Sequence, residues 1–145
     1  MSMSKNKLPE LSDVMLKKHQ FPIVNEKTIL KQAIEEMNKW RLGIICVCNA
    51  KGQLMGVITD GDLRRKILNI QKPLPSLFLD DVIIHCIQNP QVISEKSSLI
   101  DVIDIMGSKG IWDLPVTDDE NILIGLLHLH PIVDALIKNI TLNRN

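Results

Sequence analysis

The run Thr59-Asp60-Gly61-Asp62-Leu63-Arg64-Arg65 holds the densest recognition chemistry in the chain. It begins where an apolar strand pattern, Leu54 to Thr59, gives way to a helical one, so Thr59 lies beside N–H groups leaving a helix N-terminus. Such a terminus suits phosphate oxygens. Asp62 has acceptor oxygens for both hydroxyls of a ribose, and Gly61 lets the backbone come close. Arg64 and Arg65 follow in the first turns as donors to an anionic ligand. The same residues also read as an ordinary cap, Asp62, followed by a solvated basic face; a short motif alone does not choose between the two.

A second cluster is His128-Leu129-His130. If the preceding strand continues, both rings share one face, a geometry open to metal binding. Only Asp134 and His85 offer themselves as further ligands, and a structural site needs four, so no metal is expected. The histidines then line a polar cleft, or His130 caps a helix. Cys46 and Cys48 also share a face but lack redox spacing, and apolar packing is their expected role. Trp112 stands just before a strand, where it stacks on a base or covers an edge. Elsewhere there is no nucleophile with an adjacent base, no paired buried carboxylates and no glycine-rich phosphate loop. No catalysis by this chain is expected.

Composition narrows the partners. Ile, Leu and Val make up 49 of 145 residues, enough for a well-packed core, while aromatics are 3% and Tyr is absent. Seventeen basic residues balance seventeen acidic ones. With no net positive field and few aromatics to stack bases, nucleic acid is not an expected partner. Apolar runs stay far below the roughly 18 residues that read as a membrane span. The polar N-terminus has no signal-peptide pattern, and three cysteines form no disulfide framework, so a cytoplasmic location is expected.

The elements that must hold these residues come from an internal repeat. A shift of 69 aligns Glu26-Lys27 with Glu95-Lys96, Leu30 with Leu99, Ile34 with Ile103 and Met37 with Met106; Val47, Leu54 and Gly56 meet Val116, Leu123 and Gly125. Upstream, Asp13-Val14 and Pro22 match Asp81-Val82 and Pro90 at a shift of 68. In each copy Thr28 or Ser97 reads as a helix N-cap, followed by a helical apolar face (29, 30, 33, 34 and 37; 99, 102, 103 and 106). The spacing then predicts strands Ile44 to Cys48 and Leu54 to Thr59 around a tight turn at 49–52, and Leu114 to Thr117 and Ile122 to His128 around a turn at 118–121. Asp62 is expected to cap the helix running through Ile70, and Pro131 to open the last helix. Short strands at Ile23-Val24 and Val92-Ile93 start the units, and Gln71 to Pro75 reads as the loop between them. The predicted fold is therefore α/β (α+β): two β-α-β-β-α units packed about a pseudo-twofold axis. The expected domains are 11–70 and 80–140, with 71–79 as linker and 1–10 and 141–145 as flexible tails. Neither half is expected to be stable alone.

A β-α-β-β-α unit ending in Gly56-Val57-Ile58-Thr59-Asp60-Gly61-Asp62 resembles the CBS domain, and the chain resembles one complete CBS pair from about Leu11 to Ile140. The run Thr59 to Arg65, together with Gly125-Leu126-Leu127-His128-Leu129-His130, resembles the C-terminal pair of bacterial arabinose-5-phosphate isomerases. Some sugar nucleotidyltransferases carry a similar run. The resemblance implies a regulatory nucleotide or nucleotide-sugar module for a sugar-phosphate isomerase in Kdo, lipopolysaccharide or capsule synthesis. CMP-Kdo or an adenine nucleotide is then the effector, bound without a cofactor, and the sugar-isomerase domain of the same parent protein is the partner. The alternatives are a dimerisation scaffold with an empty cleft and the regulatory pair of a nucleotidyltransferase. The chain has no room for the isomerase domain, so that family's catalytic residues are not expected in it. Phe21-Pro22 enters the first strand where the resemblance implies a base-lining position. Pro131 stands where that family has an Asp, which leaves one ligand edge per pair. CBS pairs also associate through helices, and Ile67, Leu68 and Ile70 beside Ile132, Val133 and Leu136 are the expected homodimer surface.

Overall fold

The computed structural model describes residues 8–143: two three-stranded sheets, each covered by helices on one face and packed against the other sheet by the opposite face. The chain runs α1 (Leu11–Val14), β1 (Ile23–Asn25), α2 (Leu30–Trp40), β2 (Ile44–Cys48), β3 (Leu54–Thr59) and α3 (Asp60–Asn69). It continues as α4 (Leu74–Phe78), α5 (Val82–His85), β4 (Ile93–Ser94), α6 (Leu99–Lys109), β5 (Asp113–Thr117), β6 (Leu123–His128) and α7 (Leu129–Asn143). In each sheet the first strand is parallel to the second and the second antiparallel to the third, with orders β1-β2-β3 and β4-β5-β6. The predicted strands stand within one residue of where their patterns placed them, with β4 at Ile93–Ser94 rather than Val92-Ile93.

Strand alternation divides the core. Ile45 and Val47 of β2 point to the helices, joining Leu30, Ala33 and Met37 of α2 and Leu63 of α3. Ile44, Cys46 and Cys48 point the other way and meet Leu123 and Leu126 of the second sheet. The hairpin turns of both repeats lie together at one end, where Leu54 N donates to Asn121 O and Leu123 N to Gly52 O, each at 3.0 Å. Thr59 and His128, which close the two sheets opposite Ile44 and Asp113, lie at the other end.

The leading helices cross over. α1 and Leu8 pack in the core of repeat two, and α4 and α5 in the core of repeat one: Leu11 and Val14 join Val102, Leu114 and Leu127, whereas Leu77, Val82 and Cys86 join Leu30 and Ile45. Each crossing segment ends by pairing with the edge of the sheet it covers. Leu16 exchanges two backbone hydrogen bonds with Leu126, and Ile87 exchanges two with Val57. Matching these helices (Leu11–Val14 to Val82–His85) requires a shift of 71, so the alignment of Asp13-Val14 with Asp81-Val82 does not hold in space. The expected loop from Gln71 to Pro75 is cut short by α4, whose Leu77 is 1% exposed. Of the expected flexible tails, 1–7 and 144–145 lie outside the described residues.

Helix starts differ from expectation for identifiable reasons. Ser98, not Ser97, caps α6 and forms a reciprocal box with Asp101. At α2 the cap position is Ile29, with no side-chain cap; the carbonyl of Asp80 accepts from Leu30 N instead, at 2.8 Å. Thr28 lies one residue ahead of the cap position, and its carbonyl accepts from Val82 N at 2.7 Å. The Asp80 carboxylate is itself held by Lys72 and by buried His85, at 2.6 and 2.8 Å. Pro131 is the third residue of α7 rather than the first, still within the turn that needs no N–H partner.

Candidate ligand-binding site

Thr59 is the last residue of β3 and the N-cap of α3, so the expected cap at Asp62 moves three residues back. Thr59 Oγ1 accepts from Asp62 N at 3.2 Å, while Asp62 Oδ2 accepts from Thr59 N at 3.0 Å. The second oxygen, Asp62 Oδ1, takes Arg65 Nη2 at 2.8 Å. Burial pushes the Asp62 carboxyl up, but the hydrogen bonds from Arg65 and Thr59 together outweigh it and hold it below the usual range. Asp62 is thus an ionised, preoriented carboxylate. With two protein bonds made, it keeps lone pairs for two further donors, the number that a ribose diol presents. Arg65 folds back across Gly61, with guanidinium nitrogens 3.1 and 3.2 Å from where a Cβ would lie, so Gly61 makes room for arginine rather than for ligand. Arg64 and Asp60 are exposed.

The matching edge of repeat two is built alike and furnished differently. Asp60 N donates to Gly43 O, and in the same place Leu129 N donates to Trp112 O, at 3.0 and 2.9 Å. A Cβ on Gly43 would stand 2.6 Å from Asp60 Oδ2, the end of an exposed side chain that would have to swing away. Leu129 replaces Asp60 in repeat two, and the position of Gly43 is taken by Trp112, 68% exposed. His128 replaces Thr59 and pairs through Nδ1 with Asp113 Oδ1 at 2.7 Å. The two edges are close enough that the Asp60 charge helps to raise the Asp113 carboxyl, though burial is the larger cause. Asp113 was not legible as a site residue, because its only signal is its register opposite His128.

Other expected members fall away. Phe21 is 2% exposed and fills the core between the sheets, and Pro22 is buried beside it, its carbonyl accepting from Cys46 N. Both lie just ahead of β1 with their side chains buried, Phe21 in the cluster between the sheets. His130 is neither a strand neighbour of His128 nor a cap: β6 ends at His128, and His130 is the exposed second residue of α7. Among the described residues, no three His, Cys, Asp or Glu are arranged to hold a metal ion. The cysteines are buried and free, with burial pushing the Cys48 thiol up to about 11. Cavities of about 300 and 170 Å³ open at the hairpin end, the first lined by Lys18, Asn25, Asn49 and Leu123, away from Thr59 and His128.

The CBS domain model matches residues 11–69 and again 79–138. The chain belongs to the CBS-domain family and is a tandem pair. Such a pair is a regulatory, ligand-binding module rather than a catalytic one. The CBS pair is 33% identical over 126 residues to an uncharacterised protein of Rickettsia prowazekii, covering 87% of this chain and 37% of that protein. It is 28% identical over 130 residues to the arabinose 5-phosphate isomerase of Salmonella typhimurium, covering 88% and 38%. The chain thus spans little more than a third of these relatives. Among solved structures, Arabidopsis thaliana CBSX2 in complex with AMP superposes with a TM-score of 0.76 at 24% identity, covering 87% of this chain and 94% of that one. No helix among the described residues is long and apolar enough to cross a membrane.

Proposed function

We propose that this CBS pair is the effector-sensing part of a sugar-phosphate isomerase of the arabinose 5-phosphate type, acting in Kdo, lipopolysaccharide or capsule synthesis. It binds one nucleotide or nucleotide-sugar between its two unlike edges. The observation that carries this reading is the asymmetry itself: one edge offers the oriented carboxylate of Asp62, the other an exposed Trp112. Asp62 takes the ribose hydroxyls, Trp112 supplies a face on which a base stacks, and the phosphates lie near Thr59, Arg64 and Arg65. Pro131 stands where repeat one has Asp62, and it has no acceptor side chain for a second ribose. An adenine nucleotide is supported by the fold shared with AMP-bound CBSX2, and CMP-Kdo by the likeness to the isomerase. The effector acts on an attached catalytic domain only by favouring one of its arrangements over another.

Calorimetric titration with AMP, ATP, CMP and CMP-Kdo tests this. One site per chain is expected, and Asp62→Ala should weaken binding about tenfold or more through loss of a charge-assisted contact. Two equivalent sites, or unchanged affinity in Asp62→Ala, would overturn the asymmetric site. Failure of every nucleotide to bind at about millimolar concentration would leave the scaffold reading in its place.

A homodimer is the second part of the proposal. On α3, Ile67 and Leu68 are 43% and 76% exposed, and on α7 Val133, Ile137 and Ile140 are 41%, 57% and 58% exposed. Ile132, expected on this surface, is 1% exposed and belongs to the core of repeat two; Ile70 and Leu136 are half-buried. The usable patch therefore shifts toward the C-terminal half of α7. Sedimentation should give a dimer at micromolar concentration, and Leu68→Glu with Ile137→Glu should give a monomer. A wild-type monomer under those conditions would rule the interface out.

A further inference from the structure

The His128–Asp113 pair has no counterpart in repeat one, where Thr59 and Ile44 hold the matching register positions. Its 2.7 Å bond uses His128 Nδ1, which orients the ring and leaves Nε2 as the nitrogen able to meet a ligand. Asp113 is the inner partner, its side chain 12% exposed against 26% for His128, so the imidazole stands between a buried carboxylate and the opening. The groups that face Asp113 from neighbouring elements are the Asp60 carboxylate of α3 and the Cys46 thiol of β2. Burial keeps the Cys46 thiol protonated, and the nearby Asp60 carboxylate would repel a phosphate placed between the edges rather than attract it. Across the cleft from Arg64 and Arg65, His128 is the side chain on the repeat-two edge able to join them in offsetting that repulsion.

We propose that His128, positioned by Asp113, binds the phosphate of the effector whose ribose rests on Asp62, and takes up a proton as it does so. This rests on the nucleotide reading above and adds a regulatory consequence: the effector is held more tightly as pH falls. A ring flanked by a carboxylate and a phosphate dianion is driven to its charged form by both neighbours. Binding is then linked to protonation, and affinity declines as pH rises.

The test uses the full chain with AMP, between about pH 7 and about pH 8.5, where a phosphate monoester stays dianionic. Calorimetry in buffers of different protonation enthalpy should show net proton uptake at the lower pH. AMP should bind about fivefold more weakly at the upper pH, while adenosine shows neither effect. His128→Gln should weaken AMP binding and remove its pH dependence. Asp113→Asn should shift proton uptake to lower pH, which a purely structural role would not do. If wild type binds AMP through Asp62 without proton uptake, or His128→Gln matches wild type throughout, the proton-coupled site is overturned and the nucleotide reading stands. If no nucleotide binds the wild type, the nucleotide reading itself falls, and this inference with it.

Discussion

A chain cut after Pro73 is expected to remain unfolded, although it contains every element of repeat one from β1 to α3. Three losses coincide. Leu77 and Val82, buried against α2 and β2, are removed, at about 1.5–3 kcal/mol for each buried side chain. The N-terminus of α2 loses the Asp80 carbonyl that accepts from Leu30 N, and β3 loses the edge partner Ile87. The inner face formed by Ile44, Cys46, Cys48 and Leu54 is stripped of Leu123 and Leu126. Together these losses are comparable with the roughly 5–15 kcal/mol by which a whole domain is stable. Circular dichroism should show little ordered structure and no cooperative melt. Extending the fragment to residue 88 restores the outer layer but leaves the inner face bare, so self-association or aggregation is expected. A monomeric fragment 1–73 with a sharp thermal transition would show that the crossing helices are not part of the core of repeat one.

Substituting Gly56 by Ala should destabilise the pair by about 3 kcal/mol, which at about 2–4 °C per kcal/mol lowers Tm by about 10 °C. A Cβ there would stand 2.7 Å from Ile87 O and 2.5 Å from Cys86 Sγ. The Ile87 carbonyl cannot simply retreat, because it accepts from Val57 N at 3.1 Å while Ile87 N donates back at 2.8 Å. Moving the segment loosens both bonds, at about 1 kcal/mol each, on top of the overpacking cost. Gly125→Ala should follow the same rule more mildly. Its Cβ would lie 2.9 Å from Leu16 O, but the closer atom, Met15 Sδ at 2.5 Å, sits on a flexible side chain that can swing away. Gly107→Ala is the control: nothing lies within 4 Å, the position is exposed in α6, and a gain of about 0.5–1 kcal/mol is expected. A Gly56→Ala melt indistinguishable from wild type would mean that the 86–87 segment yields without cost.

Most of the architecture was legible because the deciding forces are local. The alternation in Ile44 to Cys48 sends Ile45 and Val47 to one face and Ile44, Cys46 and Cys48 to the other, and both strands of each hairpin stand in register. Of the predicted apolar faces, 30, 33 and 37 and 99, 102 and 106 are buried, while 29, 34 and 103 are half-buried at their margins. Short-range periodicity needs no knowledge of what lies opposite, so it survives into the tertiary structure unchanged. The Thr59 to Arg65 run was likewise visible as a candidate site, since a strand-to-helix junction with an acceptor side chain is a local arrangement.

What the tertiary structure alone decided depends on partners far along the chain. α1 and α5 cross to the opposite repeat, and the one sequence trace of this is the pair Gly56 and Gly125, where each crossing segment comes too close for a side chain. Capping depended on such partners too: Thr28 yielded because the Asp80 carbonyl arrived from the inter-repeat segment. Phe21, a base-lining position by resemblance alone, lies between the sheets, where burying its large apolar surface is worth more than leaving it at an opening. Asp113 became a partner of His128 only when β5 and β6 paired in register. Sequence by itself determined which residues form strands and helices, because backbone periodicity is a property of neighbours. Which face each crossing helix covers, and which polar groups meet at the cleft, followed from contacts between residues tens of positions apart.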